Sequence, residues 1–225
     1  VLMKGSEGER LKEIIKWHTQ IKELTLPEQF TSYGAGTRFF QFRKGNKIKV
    51  SRIGISRQFG VLLHRLVQFS SPGQLIELGT GSGISTAYLA AADSSIPLLT
   101  IEGSKERLEF AKQNLSKLEV QNIEFVNSDF DKVLASNRKF NSPLLVFIDG
   151  NHNYEATLRY FRYFSNIAGE NSIIVFDDIR WSGEMEKAWK EIKAHARVTI
   201  AIDLFFMGII FFRPGVSKQE YIINF

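Results

Sequence analysis

The sequence predicts an α/β domain of the doubly wound type, with a mostly parallel sheet covered by helices on both faces. From residue 74 onward, short apolar runs alternate with amphipathic segments, which is the pattern of parallel strands joined by crossover helices. The last two apolar runs are separated by only a short connection, which predicts an antiparallel strand at the end of the sheet. The sequence therefore predicts seven strands, preceded by an N-terminal helical extension.

The elements follow from local signals. Apolar residues at helical spacing predict a first helix over 7–24, which Pro27 ends. A second helix is predicted from its cap at Ser56 to Phe69, before the break at Pro72. The strands are predicted at 74–78, 97–101, 122–126, 143–148, 172–176, 197–203 and 207–212. The remaining helices are predicted at 84–92, 104–118, 131–135, 154–167 and 182–195, with Ser104 as a cap.

Composition excludes several classes of protein. The chain has 225 residues, of which 44% are apolar and 24% charged, as in ordinary globular domains. It contains no cysteine, which excludes a disulfide scaffold, a thiolate metal site and a cysteine nucleophile. No apolar run approaches the ~20 residues of a membrane span, and the first residues lack the apolar segment of a secretory signal. The expectation is a cytoplasmic protein with no membrane partner.

Basic residues are concentrated in one segment. The net charge is +5, yet no acidic residue lies between Glu28 and Glu77. The basic residues in that interval are Arg38, Arg43, Lys44, Lys47, Lys49, Arg52, Arg57 and Arg65. Such a segment is either a solvated face or a region that attracts an anionic partner such as nucleic acid or a charged substrate.

A glycine-rich turn follows the first predicted strand. Gly79, Gly81 and Gly83 occupy relative positions 1, 3 and 5, with Glu77 two residues before the first glycine. A dinucleotide fingerprint requires glycine at position 6, where this chain has Ile84, and no Gly-Lys-Ser/Thr follows to make a P-loop. Glycines at a strand-to-helix turn let a ligand approach main-chain N–H groups at the carboxyl edge of the sheet.

This Glu-x-Gly-x-Gly-x-Gly arrangement resembles motif I of the class I S-adenosylmethionine-dependent methyltransferases, which have a Rossmann-like fold. The resemblance implies that residues 56–225 form the domain that binds S-adenosylmethionine, and that residues 1–55 form an extension and a substrate lid. It places the turn under the methionine part of the cofactor, Glu102 on the ribose, and Asp129 with Phe130 at the adenine. The cofactor residues that it implies are Glu77, Gly79, Thr80, Gly81, Gly83, Glu102, Asp129, Phe130 and Asp149.

Three further carboxylates follow the fourth and fifth predicted strands. If these strands are neighbours, Asp149, Asp177 and Asp178 meet in one cleft, where oxygen ligands suit Mg²⁺ or another divalent cation. The segments are similar to metal-dependent O-methyltransferases of the catechol and caffeoyl-CoA kind, with Trp181 nearby. This chain differs from them by Asp178 in place of Asn and by His152 in place of Lys. It is also similar to a broader group with an Asp-Gly-x-His-x-Tyr segment that has no assured metal.

The predicted function is methyl transfer from S-adenosylmethionine to the hydroxyl of a small, anionic or aromatic acceptor. His152 and Asp149 are the catalytic candidates, with His152 able to accept a proton near neutral pH. Two alternatives stay open: a nucleic-acid or protein methyltransferase that uses the basic segment 38–65, and a non-catalytic cofactor-binding domain. The lack of an Asn-Pro-Pro-Tyr motif argues against nucleic acid. The helical extension is compatible with a homodimer.

Overall fold

The computed structural model describes residues 5–26, 49–52, 54–136 and 138–224. Within these residues, the domain is built on a single β-sheet. Its strands are β1 (Gln74–Leu78), β2 (Leu98–Glu102), β3 (Ile123–Asn127), β4 (Leu144–Ile148), β5 (Ile173–Phe176), β6 (Ile200–Asp203), β7 (Gly208–Phe211) and β8 (Gln219–Ile222). Their order across the sheet is β3-β2-β1-β4-β5-β7-β6-β8. β1 to β5 are parallel, and β7 runs antiparallel to both of its neighbours. The predicted doubly wound class and its antiparallel strand are confirmed.

The sheet has one strand more than the seven predicted. β8 pairs with β6 in parallel, and all four of its residues are exposed. A strand with no buried face leaves no alternation of apolar and polar residues in the sequence, so the pattern on which the prediction relied is missing.

Helices cover both faces of the sheet, as predicted. They are α1 (Gly5–Ile21), α2 (Arg57–Ser70), α3 (Ile84–Ala92), α4 (Lys105–Leu115), α5 (Phe130–Ala135), α6 (Tyr154–Ile167) and α7 (Gly183–Ala194). The Ser56 and Ser104 side chains cap α2 and α4 as expected, accepting hydrogen bonds from Phe59 N and Arg107 N. None of the described helices is both long and apolar enough to cross a membrane.

Alternate residues of each strand face different cores. On β1, Leu75 packs with apolar residues of α1 to α4, whereas Ile76 and Leu78 pack with those of α5, α6 and α7. This follows from the two-residue period of a strand. Because both faces are buried, β1, β2 and β4 have all five of their residues buried. The strand ends are consequently held firmly, which matters for the side chains that follow them.

The N-terminal helix is joined to the domain by buried polar contacts as well as by apolar packing. Leu11, Ile14 and Trp17 lie in the α1–α4 core, and His18 Nδ1 lies 2.9 Å from the hydroxyl of Tyr88 in α3. Burial, reinforced by Lys22 and Arg57, lowers the pKa of His18 from 6.5 to about 4. The α1 prediction is confirmed. Residues 27–48 and 53, which include most of the predicted lid and basic segment, lie outside the described residues.

We expect His18 to make stability depend on pH. The unfolded chain takes up a proton on His18 near pH 6.5, whereas the folded chain resists protonation until about pH 4. The stabilisation is therefore complete above the unfolded pKa and is lost as the pH falls toward the folded one. In urea unfolding at neutral pH and at about pH 5, the stability advantage of the wild type over His18→Gln should shrink at the lower pH. The same pH dependence in both proteins would contradict this assignment.

Candidate functional site

The carboxyl ends of the central strands meet at one edge of the sheet. Beyond the strands themselves, Gly79 N donates to Ile101 O (2.9 Å), Asp149 N to Leu78 O (2.9 Å) and Asp177 N to Ile148 O (3.0 Å). These bonds continue the parallel ladder by one residue past β1, β4 and β5. They therefore align the glycine turn with the first carboxylates of both acidic segments, as the topology predicted.

The glycine turn requires its glycines for different reasons. Gly79, Gly81 and Gly83 have φ values of +108°, +52° and +84°, which L side chains rarely adopt. A Cβ on Gly79 would lie 2.0 Å from the carbonyl oxygen of Asp149, so here the backbones of the turn and of β4 nearly touch. A Cβ on Gly81 would meet no atom within 4 Å, so the space above the middle of the turn is open.

Glu102 faces the turn from the end of β2. Its Oε2 accepts a hydrogen bond from Gly81 N (3.0 Å) and its Oε1 accepts one from Ser104 N (2.9 Å). The side chain is buried, but each carboxylate oxygen has more than one lone pair and can accept a further donor. The prediction that Glu102 accompanies the glycine turn agrees with this placement.

Glu77 and Thr80 lie beneath the turn. Glu77 is fully buried, and its Oε2 accepts hydrogen bonds from Thr86 and Thr100 (2.6 Å each). The Thr100 hydroxyl also lies 2.6 Å from that of Thr80. Burial raises the pKa of Glu77 to about 7, although hydrogen bonds from Ser85, Thr100 and Thr86 oppose the rise. These side chains support the turn from inside the protein, so the structure places them under the predicted ligand surface rather than on it.

Asp129 and Phe130 follow β3, and only the aromatic ring approaches β4. The Asp129 carboxylate is half exposed and pairs with Lys132 at 3.1 Å. The Phe130 ring packs so closely on Gly150 that a Cβ there would lie 2.7 Å from it, and it makes an edge contact with Tyr160. Phe130 thus lies beside the end of β4, whereas the Asp129 carboxylate is half exposed to solvent.

The second predicted cluster is assembled around His152. Its Nε2 lies 3.6 Å from Asp149 Oδ1 and 3.7 Å from Asp178 Oδ2, and its side chain is only 12% exposed. Its ring centroid lies 6.1 Å from that of Trp181. Left-handed backbone at Asn151 (φ +52°) and Asp178 (φ +54°) turns the chain sharply just after each strand, which brings residues from the two loops together.

Burial dominates the electrostatics of this cluster. It raises the pKa of Asp149 well above its usual range, and Asp177 and Asp178 add to the rise. Burial also raises the pKa of Asp177 to about 7, with Asp178 contributing, and raises that of Asp178, which His152 opposes. The pKa of His152 is lowered by burial, while Asp178 acts in the opposite direction. The cluster therefore contains proton acceptors that titrate closer to neutrality than isolated carboxylates do.

The metal prediction for Asp149, Asp177 and Asp178 has less support. Across the described ranges, no group of three or more His, Asp or Glu side chains is arranged to hold a metal ion. We therefore derive no chemistry through a divalent cation.

One part of this edge was missed by sequence reasoning, which treated residues 204–206 only as a connection. The β6–β7 hairpin returns to the β5 loop, where Ile179 N donates to Phe206 O (3.1 Å). Two adjacent phenylalanines in the short predicted connection were the available signal.

Residues 76–179 match the family model described as a methyltransferase domain. The match runs from β1 to the loop after β5 and includes the glycine turn, Glu102 and the His152 cluster. These residues are therefore similar to a methyltransferase domain. The resemblance to class I S-adenosylmethionine-dependent methyltransferases is thereby confirmed.

Two curated proteins are similar to the chain. A 52-residue stretch is 30% identical to ribosomal RNA small subunit methyltransferase G of Psychrobacter sp. (strain PRwf-1) and covers 23% of each protein. A 173-residue stretch is 26% identical to uncharacterized protein R132 of Acanthamoeba polyphaga mimivirus, covering 70% of this chain and 77% of that one. The chain thus spans less than a quarter of the length of the first relative.

Solved structures share the fold of the methyltransferase domain. The O-methyltransferase TomG from Streptomyces achromogenes, described as involved in tomaymycin synthesis and solved in complex with SAM, superposes with a TM-score of 0.64. It is 18% identical, and the comparison covers 94% of this chain and 100% of that one. At this identity, the likeness shows the fold.

We expect alanine to be tolerated very differently at two glycines of the turn. Gly79→Ala drives a methyl group into the Asp149 carbonyl and should destabilise the domain by about 2 kcal/mol or more. Gly81→Ala also has positive φ but enters open space, so it should cost about 1 kcal/mol. Urea unfolding of the two variants measures the difference. Equal losses of stability would show that the close approach to β4 is not a constraint.

Proposed function

We propose that this methyltransferase domain binds S-adenosylmethionine and transfers its methyl group to the hydroxyl of a small molecule. The observation that carries the proposal is that two features meet at the carboxyl edge of the sheet. The open glycine turn, which suits the donor, abuts the desolvated His152–Asp149–Asp178 cluster, which suits an acceptor that must lose a proton. The two are joined through the contact of Gly79 with Asp149.

The residues at the turn fit the adenosyl cofactor. Gly81 leaves open space against the main chain, and the Glu102 carboxylate is fixed by two amides beside that space. We infer that Glu102 accepts the ribose hydroxyls and that Phe130 and Asp129 border the adenine. When bound, S-adenosylmethionine supplies a methyl group on a sulfonium leaving group. The protein then chiefly aligns donor and acceptor, which is the main source of rate in such a displacement.

His152 is the proposed proton acceptor for the hydroxyl. Its lowered pKa keeps the imidazole neutral at pH 7, so a ring nitrogen is free of the extra proton. Asp178 lies close enough to Nε2 to stabilise the imidazolium once it forms, and Asp149, which is also near Nε2, borders the turn. A divalent metal remains a prediction, and the steps above do not use one. The cytoplasmic location, the lid and the homodimer likewise remain predictions.

Removing the Glu102 carboxylate should weaken cofactor binding. Without it, the ribose loses a charged acceptor, worth roughly 1–3 kcal/mol, so the Kd of Glu102→Ala for S-adenosylhomocysteine should rise about tenfold or more. Calorimetric titration of the wild type and the variant measures this change. Glu109→Ala, which removes an exposed glutamate on α4 paired with Lys112, is the matched control and should bind normally. If the wild-type protein binds neither S-adenosylmethionine nor its demethylated product, the proposed function is wrong.

Removing the imidazole should affect turnover and spare binding. With S-adenosylhomocysteine formation as the readout over a panel of hydroxyl compounds, His152→Gln should lower the rate by about 10²-fold or more. In the wild type, the rate should fall only below about pH 6.5, the ordinary histidine pKa, because burial lowers the pKa of His152 and the imidazole is protonated only in more acidic solution. His195→Gln, at the far end of α7, is the control. Unchanged turnover in His152→Gln would contradict the assignment of His152 as the proton acceptor.

The metal prediction has a separate test: unchanged wild-type turnover in the presence of a chelator would contradict it.

A nucleic-acid substrate is the second candidate. It is favoured by the similarity to a ribosomal RNA methyltransferase over 52 residues and by the basic segment 38–65. RNA binding through that segment should weaken steeply as salt rises, whereas methylation of a small neutral acceptor should change little. Filter binding with labelled RNA across a salt series distinguishes the two.

A further inference from the structure

Two asparagines, one on each side of His152, bond its loop to α6. The Asn151 Nδ2 donates to the hydroxyl of Tyr160 at 2.7 Å. The Asn153 side chain accepts a hydrogen bond from Ala156 N, in the first turn of the helix, at 2.9 Å. His152 therefore lies between two attachments to one helix, and these limit the directions in which the loop can carry the imidazole.

The bond to Tyr160 acts on the residue whose backbone turns the loop. Asn151 has a φ of +52°, in the left-handed region, which asparagine tolerates better than most residues with a Cβ. Such a conformation persists where the surrounding contacts hold it. Asn153 N also donates to Asn151 O (2.5 Å), so the turn closes around His152. Holding the Asn151 side chain consequently holds the turn that places the imidazole.

The ring and the hydroxyl of Tyr160 have different roles. The ring is fully buried in the α5–α7 core, where a phenylalanine would fill the same space. A buried tyrosine hydroxyl needs a polar partner, and the Asn151 amide supplies one. Packing therefore explains the ring, whereas the hydroxyl is explained by the loop that it holds.

The Tyr160 ring is itself held from two sides. Phe130, the proposed border of the adenine, meets it edge to face with centroids 5.7 Å apart. The Arg159 guanidinium carbon lies 5.4 Å from the Tyr160 ring centroid, and Arg159 bonds to Asp131 at 2.7 and 2.9 Å. Since Phe130 and Asp131 begin α5, the hydroxyl is presented to the loop from a fixed junction of α5 and α6.

We propose that Tyr160 is a positioning residue for His152: its hydroxyl holds Asn151, and Asn151 holds the imidazole beside Asp149 and Asp178. Tyr160 acts through these residues rather than on the reacting atoms. The inference rests on the proposed function, in which His152 accepts the proton. Placement matters there, because a misplacement of about 1 Å caused by a residue remote from the chemistry can lower a rate about 100-fold.

The kinetic test uses Tyr160→Phe, which removes the hydroxyl and keeps the ring. With S-adenosylhomocysteine formation as the readout, its kcat should fall about tenfold while the KM for S-adenosylmethionine stays unchanged. The same substitution in His152→Gln should have no further effect, because no imidazole is left to position. Tyr88→Phe is the matched control. It removes another fully buried tyrosine hydroxyl, 2.9 Å from His18 in the α1–α4 core, and its kcat should equal that of the wild type.

A second measurement needs no substrate. Diethyl pyrocarbonate modifies accessible imidazoles, and mass spectrometry follows its reaction at His152, whose side chain is 12% exposed. Without the hydrogen bond the loop should open more often, so His152 should react about fivefold faster in Tyr160→Phe and at the wild-type rate in Tyr88→Phe. If Tyr160→Phe folds poorly, Asn151→Gly replaces it, since glycine keeps the left-handed backbone and removes the amide.

The outcomes separate this inference from the proposed function. An unchanged kcat, or an unchanged rate of His152 modification, in Tyr160→Phe overturns the inference. An equal loss of turnover in the wild-type and His152→Gln backgrounds also overturns it, because Tyr160 would then act independently of the imidazole. Failure of the wild type to bind S-adenosylmethionine and S-adenosylhomocysteine instead overturns the proposed function, while the modification rates still decide whether Tyr160 holds the loop.

Discussion

The approach of the β1 turn to the end of β4 is the constraint on which the site depends. Residue 79 must be glycine, because a Cβ at this position would lie 2.0 Å from the Asp149 carbonyl oxygen. The same residues carry the hydrogen-bonded ladder beyond the strands, through Gly79 N to Ile101 O and Asp149 N to Leu78 O. The proposed donor surface and the proposed acceptor cluster are therefore parts of one rigid ladder rather than two independent loops. Methyl transfer demands such fixed alignment, since misplacement of the reacting atoms by about 1 Å costs rate steeply.

The carboxyls at this edge serve two different purposes. Glu102 is satisfied by two main-chain amides, and Glu77 is bound by threonine hydroxyls below the turn, so both hold the turn in place. Burial raises the pKa of Glu77, Asp149 and Asp177 alike, but at Asp149 and Asp177 a neighbouring carboxyl adds to the rise, whereas at Glu77 hydrogen bonds oppose it. Groups of the second kind destabilise the fold when charged, and they are found where chemistry requires a group that titrates near neutrality.

The fold and part of the site could be predicted because they depend on local patterns. The alternation of strands and helices gave the topology, and the glycine spacing gave the turn at Gly79–Gly83. Three features left no such signal. β8 has no buried face. The sequence does not indicate on which side of the turn the Glu77 side chain lies. The distance of His152 from Asp178 depends on the left-handed backbone at Asn151 and Asp178. Phe205 and Phe206 lie in the predicted connection between the last two strands of that pattern, and nothing in the sequence indicates that both side chains are exposed.

Backbone strain is distributed unevenly, and its location supports the functional interpretation. Among the described residues, five besides glycine have positive φ: Ser71, Asn151, Asn171, Asp178 and Phe205. Ser71 and Asn171 precede β1 and β5 at the amino edge, whereas the other three follow β4, β5 and β6 at the carboxyl edge, the edge that also holds Gly79, Gly81 and Gly83. Asparagine and aspartate tolerate this region, but phenylalanine does not, so the strain at Phe205 is the hardest to explain by backbone geometry alone. A turn that needed only its shape would be more stable with glycine. Arg180 and Asp203 hold Phe205 in this conformation through hydrogen bonds to its carbonyl and its N–H, and the ring packs on the Arg180 guanidinium.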